Sequence, residues 1–219
     1  MQTLKALAAL LTYPDDALRE ALPEIGALIV AEKRIGAGSR VRLAALVDEL
    51  AAADTFDAQE NYVDLFDRGR ATSLHLFEHV HGDARDRGQA MVDLNVLYAR
   101  NGLAISANEL PDYLPAVLEY LSTRPQAEVQ EMLGDCAHVL RAVGEALVRH
   151  DRGYSAVVGA LLAIAGEQAL DYTRDPAGTP VEDAAAVDEE WVDEPVIFGP
   201  GCTDVKPKAQ VVRFMNKTA

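Results

Sequence analysis

Leucine, alanine and valine recur three and four residues apart from Leu4 to about Tyr172, which is the spacing of one face of an α-helix. The chain is 49% hydrophobic but only 6% aromatic, and this balance favours helix over sheet. Nowhere does the sequence alternate apolar and polar residues strongly enough to indicate a strand. We therefore expect an all-α fold, a single helical bundle whose short connections place neighbouring helices antiparallel.

Polar residues and glycines mark where these helices begin and end. Asp15 is a good N-cap for the second helix, Ser39 begins the third, and Asp54 or Thr55 begins the fourth. Asn101 and Gly102 end a later helix, and Ser155 begins the last one. Ser106, with Glu109 three residues later, predicts a further helix start that places Pro111 in the first turn.

The stretch from Asn61 to Leu94 concentrates polar chemistry in an otherwise plain helical sequence. It holds four arginines and three of the five histidines, His75, His79 and His81. We expect a histidine-rich helix here, between Gly69 and Gly82. Polar groups this dense beside apolar residues indicate a catalytic site, a binding surface, or a polar network that joins helices.

Residues 75–79 match the zinc-protease pattern H-x-x-E-H. On a helix, His75 and His79 would project from one face as two zinc ligands, and Glu78 could act as a general base. No third ligand is marked, and the alternative is that these imidazoles form hydrogen bonds in a packing network or at a binding surface. The sequence has no nucleophile elbow, phosphate loop or dinucleotide fingerprint, so we expect no enzymatic activity.

Charge and cysteine content limit the partners and the compartment. The net charge of −15 repels nucleic acid and anionic lipid, whereas a cationic protein segment would be a matched partner. The two cysteines, Cys136 and Cys202, form neither a metal-binding spacing nor a disulfide framework. The sequence shows no signal peptide and no apolar run of membrane-spanning length, so we expect a cytoplasmic protein.

The composition changes near Thr173. A linker follows, and residues 182–194 then carry seven acids, the single tryptophan Trp191, and no lysine or arginine. Such a self-repelling run is typical of disorder or of a short docking segment. We therefore predict a helical domain over residues 1–172 and an acidic tail over residues 173–219, either disordered or docked on a partner.

Several segments together carry a family resemblance. They include the long run Tyr62-Val63-Asp64-Leu65-Phe66-Asp67-Arg68-Gly69-Arg70-Ala71-Thr72-Ser73-Leu74-His75-Leu76-Phe77-Glu78-His79-Val80-His81-Gly82 and residues 11–14, 85–91, 108–115 and 194–199. These segments closely resemble the signature of the NarJ family, the assembly chaperones of respiratory nitrate reductase. The wider redox-enzyme chaperone family, which also serves trimethylamine-oxide and dimethyl-sulfoxide reductases, is all-helical.

The resemblance implies a protein that binds without catalysis and carries no cofactor of its own. It implies that the partner is the apo catalytic subunit of respiratory nitrate reductase, held through its N-terminal segment. That subunit would be kept competent for molybdenum cofactor and iron–sulfur insertion, with cofactor delivery proteins as further partners, before it docks at the membrane. A generic acidic helical adaptor and a zinc hydrolase that uses residues 75–79 are the alternatives.

The same resemblance points to candidate binding residues. The wider family uses an acid-x-Pro-Asp-His motif in peptide binding, which Glu109, Pro111 and Asp112 fit, while Tyr113 replaces the histidine. Tyr113 keeps an aromatic hydrogen-bonding group but does not become cationic near neutral pH. We expect the acids to meet basic groups of a helical peptide lying in a groove between helices.

Aromatic, arginine and histidine side chains complete the predicted peptide-binding set. We expect Tyr62, Phe66, Phe77 and Tyr113 at or under the groove, with a core role as the alternative for Phe66 and Phe77. For Arg68 and Arg70 we favour pairing with carboxylates such as Asp64, Asp83 or Asp86 over contact with a cofactor. The residues that we predict to bind the partner are Tyr62, Phe66, Arg68, Arg70, His75, His79, Glu109, Asp112 and Tyr113.

Overall fold

The computed structural model of the chain describes residues 1–80, 84–105, 109–150 and 153–172, with residues 84 and 85 by their backbone alone. Within these residues the fold is all-helical, as predicted. The helices are α1 (Gln2–Leu10), α2 (Asp16–Ala31), α3 (Ala37–Ala52), α4 (Thr55–Phe66), α5 (Ala84–Arg100), α6 (Leu114–Ser122), α7 (Gln126–Asp135), α8 (Ala137–His150) and α9 (Ser155–Ala165). The predicted acidic tail, residues 173–219, lies outside the described residues.

Side-chain caps explain several of the observed helix starts. The carboxylate of Asp15 accepts a hydrogen bond from the Leu18 amide at 2.8 Å, and Asp54 does the same for the Phe56 amide at 2.9 Å. Each carboxylate thereby satisfies one amide that the first turn leaves without a partner. Both caps confirm the predicted starts of α2 and α4, whereas α3 begins two residues before Ser39, at Ala37.

The end of α5 also follows the prediction. Gly102 adopts a left-handed backbone with φ of 74°. The amide of Leu103 then reaches back to the Tyr98 carbonyl at 3.0 Å, and the Gly102 amide reaches the Ala99 carbonyl at 3.1 Å. This pair of bonds ends a helix at a glycine because only glycine adopts the left-handed conformation without steric cost.

Two largely buried helices, α1 and α9, each pack against more than one other helix. α1 packs against α6 and α2, and α9 packs against α8, α7 and α3. α9 is apolar on all sides, and nearly all of its residues are buried. No helix among the described residues has the length and apolar content needed to cross a bilayer.

The predicted histidine-rich helix between Gly69 and Gly82 is wrong. Described residues of this stretch form two short 3₁₀ helices, Arg70–Thr72 and Leu76–Glu78, joined by extended backbone. Local hydroxyls compete with helical bonds here, since Thr72 donates to the Leu65 carbonyl and the Ser73 hydroxyl accepts from the His75 amide at 3.2 Å.

The helix start predicted near Ser106 is also wrong for the residues that the structure describes. Ser106 lies outside the described residues, but Pro111 lies in a turn and the helix α6 begins only at Leu114. Pro115 takes the first-turn position, where a missing amide hydrogen costs nothing. Residues 112–114 instead pair with residues 74–76 through backbone hydrogen bonds.

Candidate functional site

Two connecting segments, residues 74–76 and 112–114, lie side by side and hold each other. The Leu76 amide donates to the Asp112 carbonyl at 3.1 Å, and the Leu114 amide donates to the Leu74 carbonyl at 2.8 Å. This places His75 opposite Tyr113 in an antiparallel bridge. The fold thus brings together two of the segments that carry the family resemblance.

Asp112 lies at the centre of this junction and is fully buried. One carboxylate oxygen accepts the Phe77 amide at 3.0 Å, and the other lies 3.4 Å from His75 Nδ1. The hydrogen bond to Asp112 raises the pKa of His75 above its ordinary value. Because Asp112 is out of contact with solvent, it positions His75 and the following backbone in this state and does not face a partner.

A row of aromatic rings lies over the junction, and we call it the Tyr113 patch: Tyr13, Tyr62, His75 and Tyr113. The Tyr62 hydroxyl donates to the Leu11 carbonyl at 2.9 Å and lies 3.1 Å from the Tyr113 hydroxyl. The ring of Tyr13 meets that of Tyr62 edge-on at 5.7 Å, and the rings of His75 and Tyr113 are 5.4 Å apart. Hydrogen bonds of their hydroxyls therefore fix the rings of Tyr62 and Tyr113.

The members of the Tyr113 patch differ in exposure. Tyr13 is 46% exposed and the His75 side chain 33%, whereas Tyr62 is buried and Tyr113 is half-buried. Burial raises the pKa of Tyr62 and of Tyr113, so both hydroxyls stay protonated at neutral pH. Tyr13, His75 and Tyr113 are thus within reach of a partner, and Tyr62 supports them from below.

Phe66 lies beneath the patch in the core. Its ring lies 4.8 Å from that of Tyr62 and 5.1 Å from that of Tyr154, and the residue is 5% exposed. Phe77 is half-buried and packs against the same core. Both placements match the alternative in which these two residues serve packing.

Acidic residues flank the patch. Glu109 and Asp67 are exposed, and their charges add to burial in raising the pKa of Tyr113. Neither acid forms an ion pair with another described residue. A basic group of a partner could therefore meet free carboxylates here.

The remaining predicted residues lie on the 3₁₀ segment and the end of α4. Arg68 pairs with Asp64 at 3.0 Å through one nitrogen on an exposed surface, a geometry that contributes little stability. Arg70 donates to the carbonyl of Glu78 rather than to a carboxylate, with its Nε at 3.1 Å. Asp83, another predicted partner, lies outside the described residues.

The histidines of the H-x-x-E-H pattern have separate partners in the structure. His75 faces Asp112, whereas His79 Nε2 lies 2.9 Å from the carbonyl of Ser73. The Glu78 carboxylate accepts from the Ser73 hydroxyl at 2.6 Å. Among the described residues, no three histidine, cysteine, aspartate or glutamate side chains are placed to hold a metal ion.

Sequence reasoning left several residues of this site out of the predicted set. Tyr13 belongs to the Leu-Thr-Tyr-Pro segment that carries part of the resemblance, so a signal for it existed. The bond from Ser73 to Glu78 and the bond from the Tyr98 hydroxyl to the Pro111 carbonyl at 2.8 Å had no such signal. Both depend on turns that helical periodicity does not reveal.

A groove begins beside Glu109 and runs along α6 between α1 and the segment after α5. Its volume is about 400 Å³. Apolar, aromatic and charged residues share its lining, among them Lys5, Tyr98, Leu103, Glu109, Ala116 and Glu119. Glu109 therefore lines the groove, and its charge also acts on Tyr113 of the patch.

Comparison with known proteins gives the chain a family context. Residues 14–158 match the family described as nitrate reductase delta subunit. The nitrate reductase molybdenum cofactor assembly chaperone NarJ of Escherichia coli K12 is 40% identical over 227 aligned positions, covering 100% of this chain and 95% of that protein.

Two further relatives carry related names. The probable nitrate reductase molybdenum cofactor assembly chaperone NarW of Escherichia coli K12 is 39% identical over 201 positions, covering 90% of this chain and 84% of that protein. The probable NarJ chaperone of Bacillus subtilis 168 is 29% identical over 163 positions, covering 74% of this chain and 86% of that protein.

Proposed function

Because the chain belongs to the nitrate reductase delta subunit family, we propose that it is an assembly chaperone for the molybdenum-containing catalytic subunit of a respiratory nitrate reductase. It acts in the cytoplasm by binding and makes no covalent bonds. Its client is the apo subunit, which it holds through the N-terminal segment while molybdenum cofactor and iron–sulfur clusters are inserted. Docking of the client at the membrane follows release. Relatives named as chaperones over nearly the full chain length support this proposal.

The convergence of separate segments on one surface is the observation that carries the proposal. Tyr13, Tyr62, His75 and Tyr113 come from four parts of the chain and form one patch. The Leu11 carbonyl accepts from the hydroxyls of Tyr62 and Tyr113, and the buried Asp112 faces His75. The exposed ring faces are then left to bind, and large aromatic surfaces are enriched where proteins bind one another.

We place the client segment across the Tyr113 patch and into the groove along α6. A helical segment would lay its apolar face against Leu103 and Ala116, and a basic side chain would meet Glu109. α6 has nine residues and is about 13 Å long, so the groove fits roughly nine residues of a client helix. Lys5 also lines the groove and limits how many basic groups it can accept.

Calorimetry with a synthetic peptide tests this placement. The peptide is the N-terminal segment of the catalytic subunit from the same organism, and Tyr13→Ala is compared with Phe56→Ala. Phe56 is 80% exposed on α4 and takes no part in the patch, so it is a matched control for loss of an exposed ring. We expect Tyr13→Ala to weaken binding by about tenfold and Phe56→Ala by less than about twofold.

Two outcomes would contradict the proposal at different levels. Equal losses in the two variants would remove the Tyr113 patch as the binding surface but leave chaperone function open. Normal maturation of nitrate reductase in cells that lack this chain would contradict the chaperone function itself and favour an adaptor for some other partner.

A further inference from the structure

α5 carries apolar residues on two opposite faces. Leu94, Leu97 and Tyr98 pack against the core. On the other face Val92 is 54% exposed and Val96 is 41% exposed, and Gly88 and Ala99 are exposed in line with them. We call these four residues the α5 stripe. Their spacing of four, four and three residues aligns them along one side of the helix.

We propose that the α5 stripe pairs with the same stripe of a second copy of this chain, with the two helices antiparallel about a two-fold axis. An isologous pairing requires a surface that is complementary to itself. With the axis between Asn95 and Val96, Val92 lies opposite Ala99 of the second copy, large against small. Val96 lies at the axis and meets the corresponding turn of the other helix.

The charges beside the stripe fit this symmetry. Asp93 and Arg100 are seven residues apart and lie on one flank of α5, and a two-fold axis places that flank against itself. Arg100 of the second copy then lies beside Asp93, offset along the helix by about 3 Å. Gln89 already donates to the Asp93 carboxylate at 2.9 Å and orients it. Neither Asp93 nor Arg100 has an ion pair with another described residue.

The local charge of α5, unlike that of the whole chain, fits a second copy better than a cationic client. The whole chain carries −15, so two copies repel each other over most of their surfaces. Residues 84–100 carry three arginines against two aspartates and form a nearly neutral approach path. A basic client instead meets the exposed carboxylate of Glu109, whose charge acts on Tyr113 of the patch.

The size of the contact sets the strength of the pairing. α5 has 17 residues, and a single pair of such helices buries less than the roughly 1,200 Å² of a small specific interface. The dimer is therefore weak and reversible. We expect monomers at about 5 µM and a substantial dimer fraction at about 500 µM, since so small an interface supports only weak association.

Sedimentation velocity of the full-length chain across that concentration range tests the pairing. Asp93→Arg and Arg100→Asp should each weaken self-association by about tenfold or more, since each places like charges together. The double variant Asp93→Arg with Arg100→Asp should restore it, because the two-fold arrangement then regains opposite charges. A chain that stays monomeric at all concentrations, or a double variant that stays as weak as the single ones, would overturn the proposal.

A control variant shows whether self-association depends on the α5 stripe or on any exposed valine. Val96→Asp should abolish association, whereas Val41→Asp, at a position 70% exposed on α3, should leave it unchanged. Thermal unfolding shows whether each variant keeps its fold, which we expect because both positions are exposed. If Val96→Asp weakens binding of the client peptide while the parent chain is monomeric, the stripe belongs to the client and the proposal is wrong.

Discussion

Asp112 joins two parts of the chain that are distant in sequence. Its carboxylate accepts from the amide of Phe77 and faces His75, and no part of it reaches solvent. A buried carboxylate is tolerated only when hydrogen bonds replace the lost water. The residue therefore stabilises the antiparallel contact that presents His75 and Tyr113 on the surface, and its effect on any partner is indirect.

Removing the Asp112 carboxylate should destabilise the whole fold. Asp112→Ala leaves the part-buried Phe77 amide without its acceptor, and we expect a loss of about 3 kcal/mol in the free energy of unfolding. Asp112→Asn should lose roughly half as much, because an amide oxygen can still accept from Phe77. Urea unfolding measures both values, and equal losses in the two variants would contradict the assigned role of the Phe77 bond.

The pair of His75 and Asp112 should make stability depend on pH. The pKa of His75 is raised above the ordinary 6.5, first by its hydrogen bond to Asp112 and further by the charge of Glu78, while burial and Arg87 oppose the rise. A raised folded-state pKa stabilises the protein below the unfolded pKa, and this stabilisation disappears as pH rises through the folded value. The difference in stability between the native protein and His75→Gln should therefore be largest at pH 5.5 and smallest at pH 8.

Urea unfolding at several pH values between these limits checks that prediction. His138→Gln, on an exposed position of α8, is the matched control. The Asp112→Asn variant should remove most of the pH-dependent difference, because the main cause of the raised pKa is then lost. A difference between native protein and His75→Gln that is the same at pH 5.5 and pH 8 would contradict the pairing.

At the scale of the elements, the sequence predicts those helix starts and ends that depend on hydrogen bonds between residues close together in the chain. Asp15 and Asp54 begin helices, and Gly102 ends one, because each acts on amides or carbonyls a few residues away. The segments around residues 70–80 and 109–113 were not predictable in this way. Two backbone hydrogen bonds, from Leu76 to Asp112 and from Leu114 to Leu74, join these segments across more than thirty residues, and helical spacing carries no information about such a pairing.

Glu32 ties α1 to the connection between α2 and α3. It is buried, accepts from the Thr3 hydroxyl at 2.5 Å, and accepts from Arg34 through Nε and Nη2, both at 2.8 Å. The hydrogen bonds from Arg34, more than any other cause, lower the pKa of Glu32 to about 2. Since this value lies below the ordinary 4.5, the stabilisation is present above pH 4.5 and is lost as pH falls toward 2.

Glu32→Gln should show that dependence. At pH 7 we expect the variant to be about 2 kcal/mol less stable than the native chain, because charge-assisted bonds become neutral ones. The difference should shrink as pH falls from 4.5 toward 2. Urea unfolding at pH 7, 4.5 and 3 measures it, with Glu24→Gln on an exposed position of α2 as the control. A difference that does not depend on pH would contradict the lowered pKa.

For the whole molecule, composition and periodicity predict the all-helical class, and the quoted segments predict the family. They do not predict which helix faces stay uncovered. Val92 and Val96 have the same residue type and spacing as buried positions such as Val139 and Val143 of α8. Only the packing of the neighbouring elements leaves the first pair exposed and buries the second. The position of the groove along α6 could not be predicted from the sequence for the same reason, since three separate segments line it.

The acidic border of the groove should govern how salt affects binding of the client peptide. Asp112 is unsuitable for such a test, because its loss would disturb the fold, whereas Glu109 is exposed and has no ion pair with another described residue. In Glu109→Gln we expect the affinity at about 50 mM salt to fall roughly fivefold and the dependence on salt to flatten, since screening and loss of the charge remove the same attraction. Glu131→Gln, at an exposed position of α7, should change neither quantity.

Calorimetry from about 50 to 500 mM salt measures both the affinity and its dependence on salt. Parallel salt profiles for the native chain and Glu109→Gln would mean that the client's basic groups lie elsewhere, even if the peptide still requires the Tyr113 patch.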